Sequence, residues 1–271
     1  MMAMSERQTE KICAEEERQK LLENIAQGGG SVAGNDRERF HCIPIIGQIE
    51  GHYLLPEGQK ATKYEQILPL LVEIEEDDAI DGVLFLLNTM GGDVEAGLAL
   101  AEMIASMRTP TVSLVLGGGH SIGVPLATAA RYSLIVPTAT MMLHPVRVSG
   151  TVVGVPQSFR YMSEMQKRIV GFICSHSKAS PETIRELMMR PDQIATDCGS
   201  IVEGREAVKI GLMDEVGGLD RALEVLRKMS DSNTHKMQKN KNKNNSQSKN
   251  GKKDTEKNQK GREKRDGAIE Y

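Results

Sequence analysis

The chain has 271 residues, with 34 Lys or Arg against 37 Asp or Glu, and a net charge of −3. No run approaches the roughly 18 apolar residues of a membrane span, and the N-terminus has no basic-then-apolar signal pattern. A cytoplasmic protein without integral membrane contact is expected. Cys13, Cys42, Cys174 and Cys198 stand far apart with no C-x-x-C pair, a pattern with no sign of a disulfide framework or a metal site.

Charge divides the chain unevenly. From Met229 to Tyr271, ten Lys and two Arg face six Asp or Glu, so this tail carries +6 and residues 1–228 carry −9. The tail is rich in Asn, Ser and Gln and has almost nothing apolar to bury, which predicts disorder. Its mixed signs and lack of aromatics suit a solubilising extension better than a nucleic-acid contact. Residues 1–39 are also charged and end in Gln27-Gly28-Gly29-Gly30-Ser31. A short helix around Glu15 to Ile25 would lack the apolar stripe of a docked helix, so this is read as a flexible extension. Residues 40–228 remain as one domain of a size that buries a good core.

In chain order, Cys42 to Ile49 reads as a first strand. Tyr64 to Ile74 reads as a helix with Ile67, Leu68, Leu71, Val72 and Ile74 on one face, closed by Asp77-Asp78. Gly82 to Leu87 is a continuous apolar run, the mark of a strand buried on both faces. Asp93 suits an N-cap for a helix from Val94 to about Met107, stopped by Thr109-Pro110. Thr111 to Leu116 is a further strand, Val124 to Ala130 a small apolar helix, and Arg131 to Pro137 and Thr140 to Leu143 two more strands. Gln157 to Ser177 has a long helical pattern, and Ser180-Pro181-Glu182 caps a second helix running to Met189. Glu203 to Ile210 closes on Gly211, before Leu212 to Val216. Alternation at these lengths predicts an α/β fold with a largely parallel sheet and flanking helices.

Three strand ends carry residues suited to acyl transfer. Ser121 lies in Gly118-Gly119-His120-Ser121-Ile122-Gly123, and His144 comes 23 residues later, ahead of Pro145. Upstream, Asn88-Thr89-Met90-Gly91-Gly92-Asp93 succeeds a buried strand, and its glycines leave backbone N–H groups able to point into a cleft. A nucleophile, a base and an oxyanion hole make a peptidase or esterase site. Taken singly, Ser121 reads equally as a helix N-cap and His144 as a satisfied core histidine. Their joint spacing with Gly91-Gly92 favours the site. Gly119 to Gly123 also matches the G-x-S-x-G elbow of α/β-hydrolases, but those enzymes place an acid between Ser and a distant His, and His144 comes too early.

The arrangement resembles the Clp peptidase subunit and its crotonase-like relatives over about Gly82 to Val216. The likeness lies in Leu87 to Asp93 with Ala96-Gly97, in Ser121-Ile122-Gly123 placed 29 residues after Gly92, and in Arg131 to Pro137 with Met141-Met142-Leu143-His144-Pro145 beyond it. Within the family it is nearest to the translocation-enhancing branch, cytoplasmic proteins linked to protein export, and Val202 to Val216 is also similar to signal peptide peptidases. The resemblance implies a Clp/crotonase-type fold and a serine peptidase acting on peptides or unfolded segments. Ser121 is then the nucleophile and His144 the base, with Gly91, Gly92 and Ile122 forming the oxyanion hole. The family's orienting Asp falls on Gly199, with Asp197 two residues before it and Asp192 further off. Asp197 is taken as the third member, with Asp192 or a Ser121/His144 dyad as the alternatives. The resemblance also implies a ring-like homo-oligomer built through helices such as Gln157 to Ser177. It implies no metal and no organic cofactor. Residues 1–39 carry no recognisable axial segment, so an ATPase partner is not expected. Two other functions stay open: a non-catalytic scaffold or chaperone in preprotein translocation, and a crotonase-type acyl-CoA enzyme.

Overall fold

The structure is a computed structural model that describes residues 31–35, 38–148, 150, 153–191 and 198–232, with only the backbone for 32–35. The expectations for residues 1–30, for Asp192 and Asp197, and for 233–271 lie outside the described residues. Among the described residues a nine-stranded sheet forms the centre, built on the order β1-β2-β4-β5-β6-β9. These strands are β1 (Ser31–Asn35), β2 (Glu38–Glu50), β4 (Gly82–Gly92), β5 (Thr111–Gly119), β6 (Tyr132–Ile135) and β9 (Glu215–Val216). From β2 to β9 every neighbour is parallel. β1 is antiparallel to β2 at the edge, and β3 (Ala61–Lys63) pairs parallel with the other end of β2. The sheet therefore starts at Ser31, inside the segment that composition assigned to an extension. Backbone pairing draws that segment in without any apolar pattern.

Strand β4 has buried side chains on both faces over Val83, Leu84 and Phe85. Val83, Phe85 and Leu87 join the main core, where they meet helices α1 (Tyr64–Glu76), α2 (Val94–Ser106) and α3 (Gly123–Thr128). On α1, Ile67, Leu71 and Ile74 are buried, whereas Val72 is 51% exposed, which narrows the stripe expected from sequence. A helix that sequence reading did not pick out, α7, begins at residue 219 and buries Ala222 and Leu226. The Leu226 side chain lies against Gly82 at the start of β4. A second compact unit begins at Lys228, of which residues 228–232 are described and helical.

A smaller branch leaves the main sheet. β7 (Thr140–Leu143) pairs parallel with β5 at Gly118 and antiparallel with β8 (Ser200–Glu203). Helix α5 (Pro181–Met189) packs against this branch, α4 (Val155–Ser175) packs against α5 and α3, and α6 (Gly204–Lys209) comes directly after β8. Among the described residues, Cys42, Cys174 and Cys198 form no disulfide, and no helix is long and apolar enough to cross a membrane.

Candidate active site

Strand β4 does not stop at Leu87, as its apolar run suggested, but continues through Gly92. Its register with β2 passes from Gly47↔Thr89 to Gln48↔Gly91, so Met90 is an extra residue with no partner. A bulge of this kind bends the strand and re-aims the residues beyond it. Gly91 then takes φ 90° and Gly92 φ 154°, conformations that favour glycine. Space also demands glycine here. A Cβ on Gly91 would lie 2.7 Å from Ser121 Cβ, and one on Gly92 would lie 2.2 Å from the carbonyl oxygen of Ile49. Asp93 caps α2 as its sequence position predicts, its Oδ1 accepting the Ala96 N–H at 2.9 Å.

Ser121 has φ 56°, the sole positive value among the described non-glycine residues. A side chain in this sparsely populated region costs on the order of 1–3 kcal/mol and persists only where its surroundings hold it. Two hydrogen bonds do so. The Ser121 N–H donates to Met142 O on β7 at 2.8 Å, and the His120 N–H donates to Thr89 O on β4 at 3.1 Å. The Ser121 turn is thus tied both to the strand that leads into His144 and to the strand that leads into Gly91-Gly92. Behind it, α3 starts at Gly123, two residues after Ser121.

Ser121, Ile122, Gly92 and His144 line one cleft of about 150 Å³. Its walls are largely apolar, with Val124 and Leu143 from the core and Ile169, Ile173 and Met188 from α4 and α5, and Arg147 lines it too. His144 Nδ1 lies 2.7 Å from Pro145 O. His120 stands close by, and burial, then the charge of His144, holds its pKa below the ordinary histidine value. Its Nδ1 is buried without a hydrogen-bond partner in the structure. The antiparallel register of β7 and β8 ends at Leu143↔Ser200. His144 follows the last residue of β7 and Gly199 precedes the first of β8, and the Gly199 N–H donates to Arg190 O at 2.8 Å. Among the described residues, no group of three or more His, Cys, Asp or Glu side chains is placed to hold a metal ion.

The sequence-derived set is therefore mostly brought together, with one amendment. The Gly91 N–H donates to Thr89 Oγ1 at 3.1 Å and is committed within the chain. Thr89, His120 and the lining from α4 and α5 were not singled out from sequence. The helical apolar stripe that supplies Ile169, Ile173 and Met188 was visible there, but it carries no mark that distinguishes cleft from core.

A parallel sheet with bulged strand ends, and a strained serine sharing a cleft with a histidine, define a protein of the Clp/crotonase class. The Clp protease family model matches residues 38–219, and the chain belongs to that family. It is 53% identical over 207 residues to the translocation-enhancing protein TepA of Halalkalibacterium halodurans, covering 76% of this chain and 81% of that one. It is 27% identical over 154 residues to the ATP-dependent Clp protease proteolytic subunit 1 of Protochlamydia amoebophila, covering 56% of this chain and 72% of the relative. The same subunit from Chlamydia abortus is 26% identical over 140 residues, covering 49% and 69%.

Proposed function

We propose that this protein is a serine peptidase that hydrolyses peptides or unfolded protein segments. Ser121 attacks the carbonyl while His144 takes its proton, and the N–H groups of Gly92 and Ile122 bind the oxyanion. The single observation that carries this reading is the φ of 56° at Ser121, held from both sides by hydrogen bonds within a cleft that it shares with His144. A bare helix cap has no need of such strain. The apolar part of the lining favours an apolar side chain next to the cleaved bond, and Arg147 lines the same cleft. Asp197, two residues before the family's acid position at Gly199, orients His144, which requires Nδ1 to exchange Pro145 O, 2.7 Å away, for the carboxylate.

The resemblance of most of the chain to a translocation-enhancing protein supports a place in preprotein export in the cytoplasm. A ring-like homo-oligomer joins copies through α4, a reading supported by the exposure of Val155, Phe159 and Tyr161 on that helix. One observation favours a second reading, a scaffold without catalysis: His144 Nδ1, where an orienting acid would bind, lies 2.7 Å from Pro145 O. A fluorophosphonate probe separates the two, because it labels only an activated serine. Labelling of the wild type that disappears in Ser121→Ala supports the peptidase. An unlabelled wild type supports the scaffold.

A further inference from the structure

We propose that Thr89 is a positioning residue that sets the spacing between the Gly91-Gly92 arm and the Ser121 turn. The inference rests on the peptidase reading above and adds a residue that this reading does not use. Thr89 is 2% exposed and sits immediately before the bulged Met90. Three of its groups are engaged, on four partners in all. The hydroxyl donates to Gly47 O at 2.6 Å and accepts from the Gly91 N–H at 3.1 Å, so its proton has one direction only. The carbonyl accepts the His120 N–H at 3.1 Å. The γ-methyl packs against Gly123, where an added Cβ would lie 2.7 Å from it.

One side chain therefore touches the residue next to each proposed oxyanion donor, Gly91 beside Gly92 and Gly123 beside Ile122. Its hydroxyl pins the arm that leads to the Gly92 N–H, and its methyl braces the residue next after Ile122. The arm needs pinning because a Gly-Gly pair has little conformational preference of its own. Without the hydroxyl, the buried Gly91 N–H and the part-buried Gly47 carbonyl would both lose a partner, and the peptide would be released to rotate. Interactions that tighten as charge develops on the carbonyl oxygen act on the chemical step more than on binding.

The two arms of Thr89 are separable by substitution. Thr89→Val keeps the shape and the methyl but deletes both hydroxyl hydrogen bonds. Thr89→Ser keeps the hydrogen bonds and loses only the methyl. The test uses the full chain and the fluorophosphonate probe, with the maximal labelling rate and the half-saturating probe concentration measured separately. Thr89→Val is expected to lower the maximal rate about 10–100-fold at an unchanged half-saturating concentration, because the donor is displaced rather than removed. Thr89→Ser is expected to stay close to wild type. Amide exchange at Gly91, read independently, should quicken about tenfold in Thr89→Val and not in Thr89→Ser. Wild-type labelling or wild-type Gly91 exchange in a folded Thr89→Val protein overturns the proposal. If Thr89→Val does not fold, a Thr89→Ser protein that labels more than about tenfold slower overturns it, since the retained hydroxyl would then not suffice. An unlabelled wild type defeats the peptidase reading instead, and the Thr89 tether is then decided by Gly91 exchange in the same variants.

Discussion

Replacing Gly97 by Ala sets two known effects against each other. Gly97 lies inside α2, where Ala is favoured over Gly by roughly 0.8–1.0 kcal/mol on helix propensity alone. Against this stands the space that the added methyl would enter. Its Cβ would lie 2.3 Å from Ile122 Cγ1, 3.1 Å from Cγ2 and 3.3 Å from Cβ. Carbon atoms rest at about 3.5–4.0 Å, so all three contacts are too close. Ile122 cannot swing aside, because it is 2% exposed and its branched side chain has few alternatives. Overpacking of a filled core costs about 1–3 kcal/mol, and a clash with three atoms of one rigid side chain belongs at the upper end. The clash wins. Gly97→Ala should lose about 1–2 kcal/mol net, which is roughly 2–8 °C in Tm for a domain of this size. Calorimetry or circular dichroism reads that shift. The same displacement moves the Ile122 N–H, so the probe labelling rate at Ser121 should fall on the order of tenfold or more. A Gly97→Ala protein that is more stable than wild type, as propensity predicts, would refute the packing argument. A destabilised protein that labels at the wild-type rate would remove Ile122 from the oxyanion role.

Asp197→Asn should reduce turnover of a short peptide by about four decades if Asp197 holds His144 in the accepting tautomer, whereas Asp192→Asn should leave it near wild type. Equal activity in both mutants and wild type would mean that the pair acts as a dyad. Glu75 offers a test by pH. Burial alone would raise its pKa, but hydrogen bonds from the Arg108 and Thr109 side chains and backbone N–H groups hold it at about 2, against an ordinary 4.5. Because the folded value is depressed, this contribution is complete above pH 4.5 and is lost as pH falls toward 2. Glu75→Gln should therefore cost about 1 kcal/mol at pH 7 and show a weaker acid dependence between those values, measured by urea unfolding across pH. Similar slopes in mutant and wild type would show that Glu75 is not the group responsible.

Much of this protein is decided by local chemistry and can be read along the chain. The helix from Val94 is marked by Asp93, a side chain able to take the Ala96 N–H, and the helix from Pro181 by Ser180, which takes the Thr183 N–H. Continuous apolar runs identify β4 and β5, because a strand covered on both faces has no polar side to interrupt it. The Gly91-Gly92 pair, Ser121 and His144 were also legible, since glycine at a strand end and a serine between glycines are local signals. Pairing between distant backbones is a different matter, because no local stretch of residues encodes it. β3 and β8 are short, and each is held by a strand elsewhere in the chain, β2 and β7, so neither is marked by its own residues alone. The bulge at Met90 is of the same kind, arising from the register between β2 and β4. So is the engagement of Thr89, whose partners Gly47, Gly91 and His120 belong to three separate segments. Sequence singled out Ser121, His144 and the Gly91-Gly92 pair as candidates for acyl transfer, because that choice depends on side-chain type and local spacing. Tertiary structure alone decided which N–H groups are already committed and which line the cleft, because hydrogen-bond geometry exists only once the strands are laid side by side.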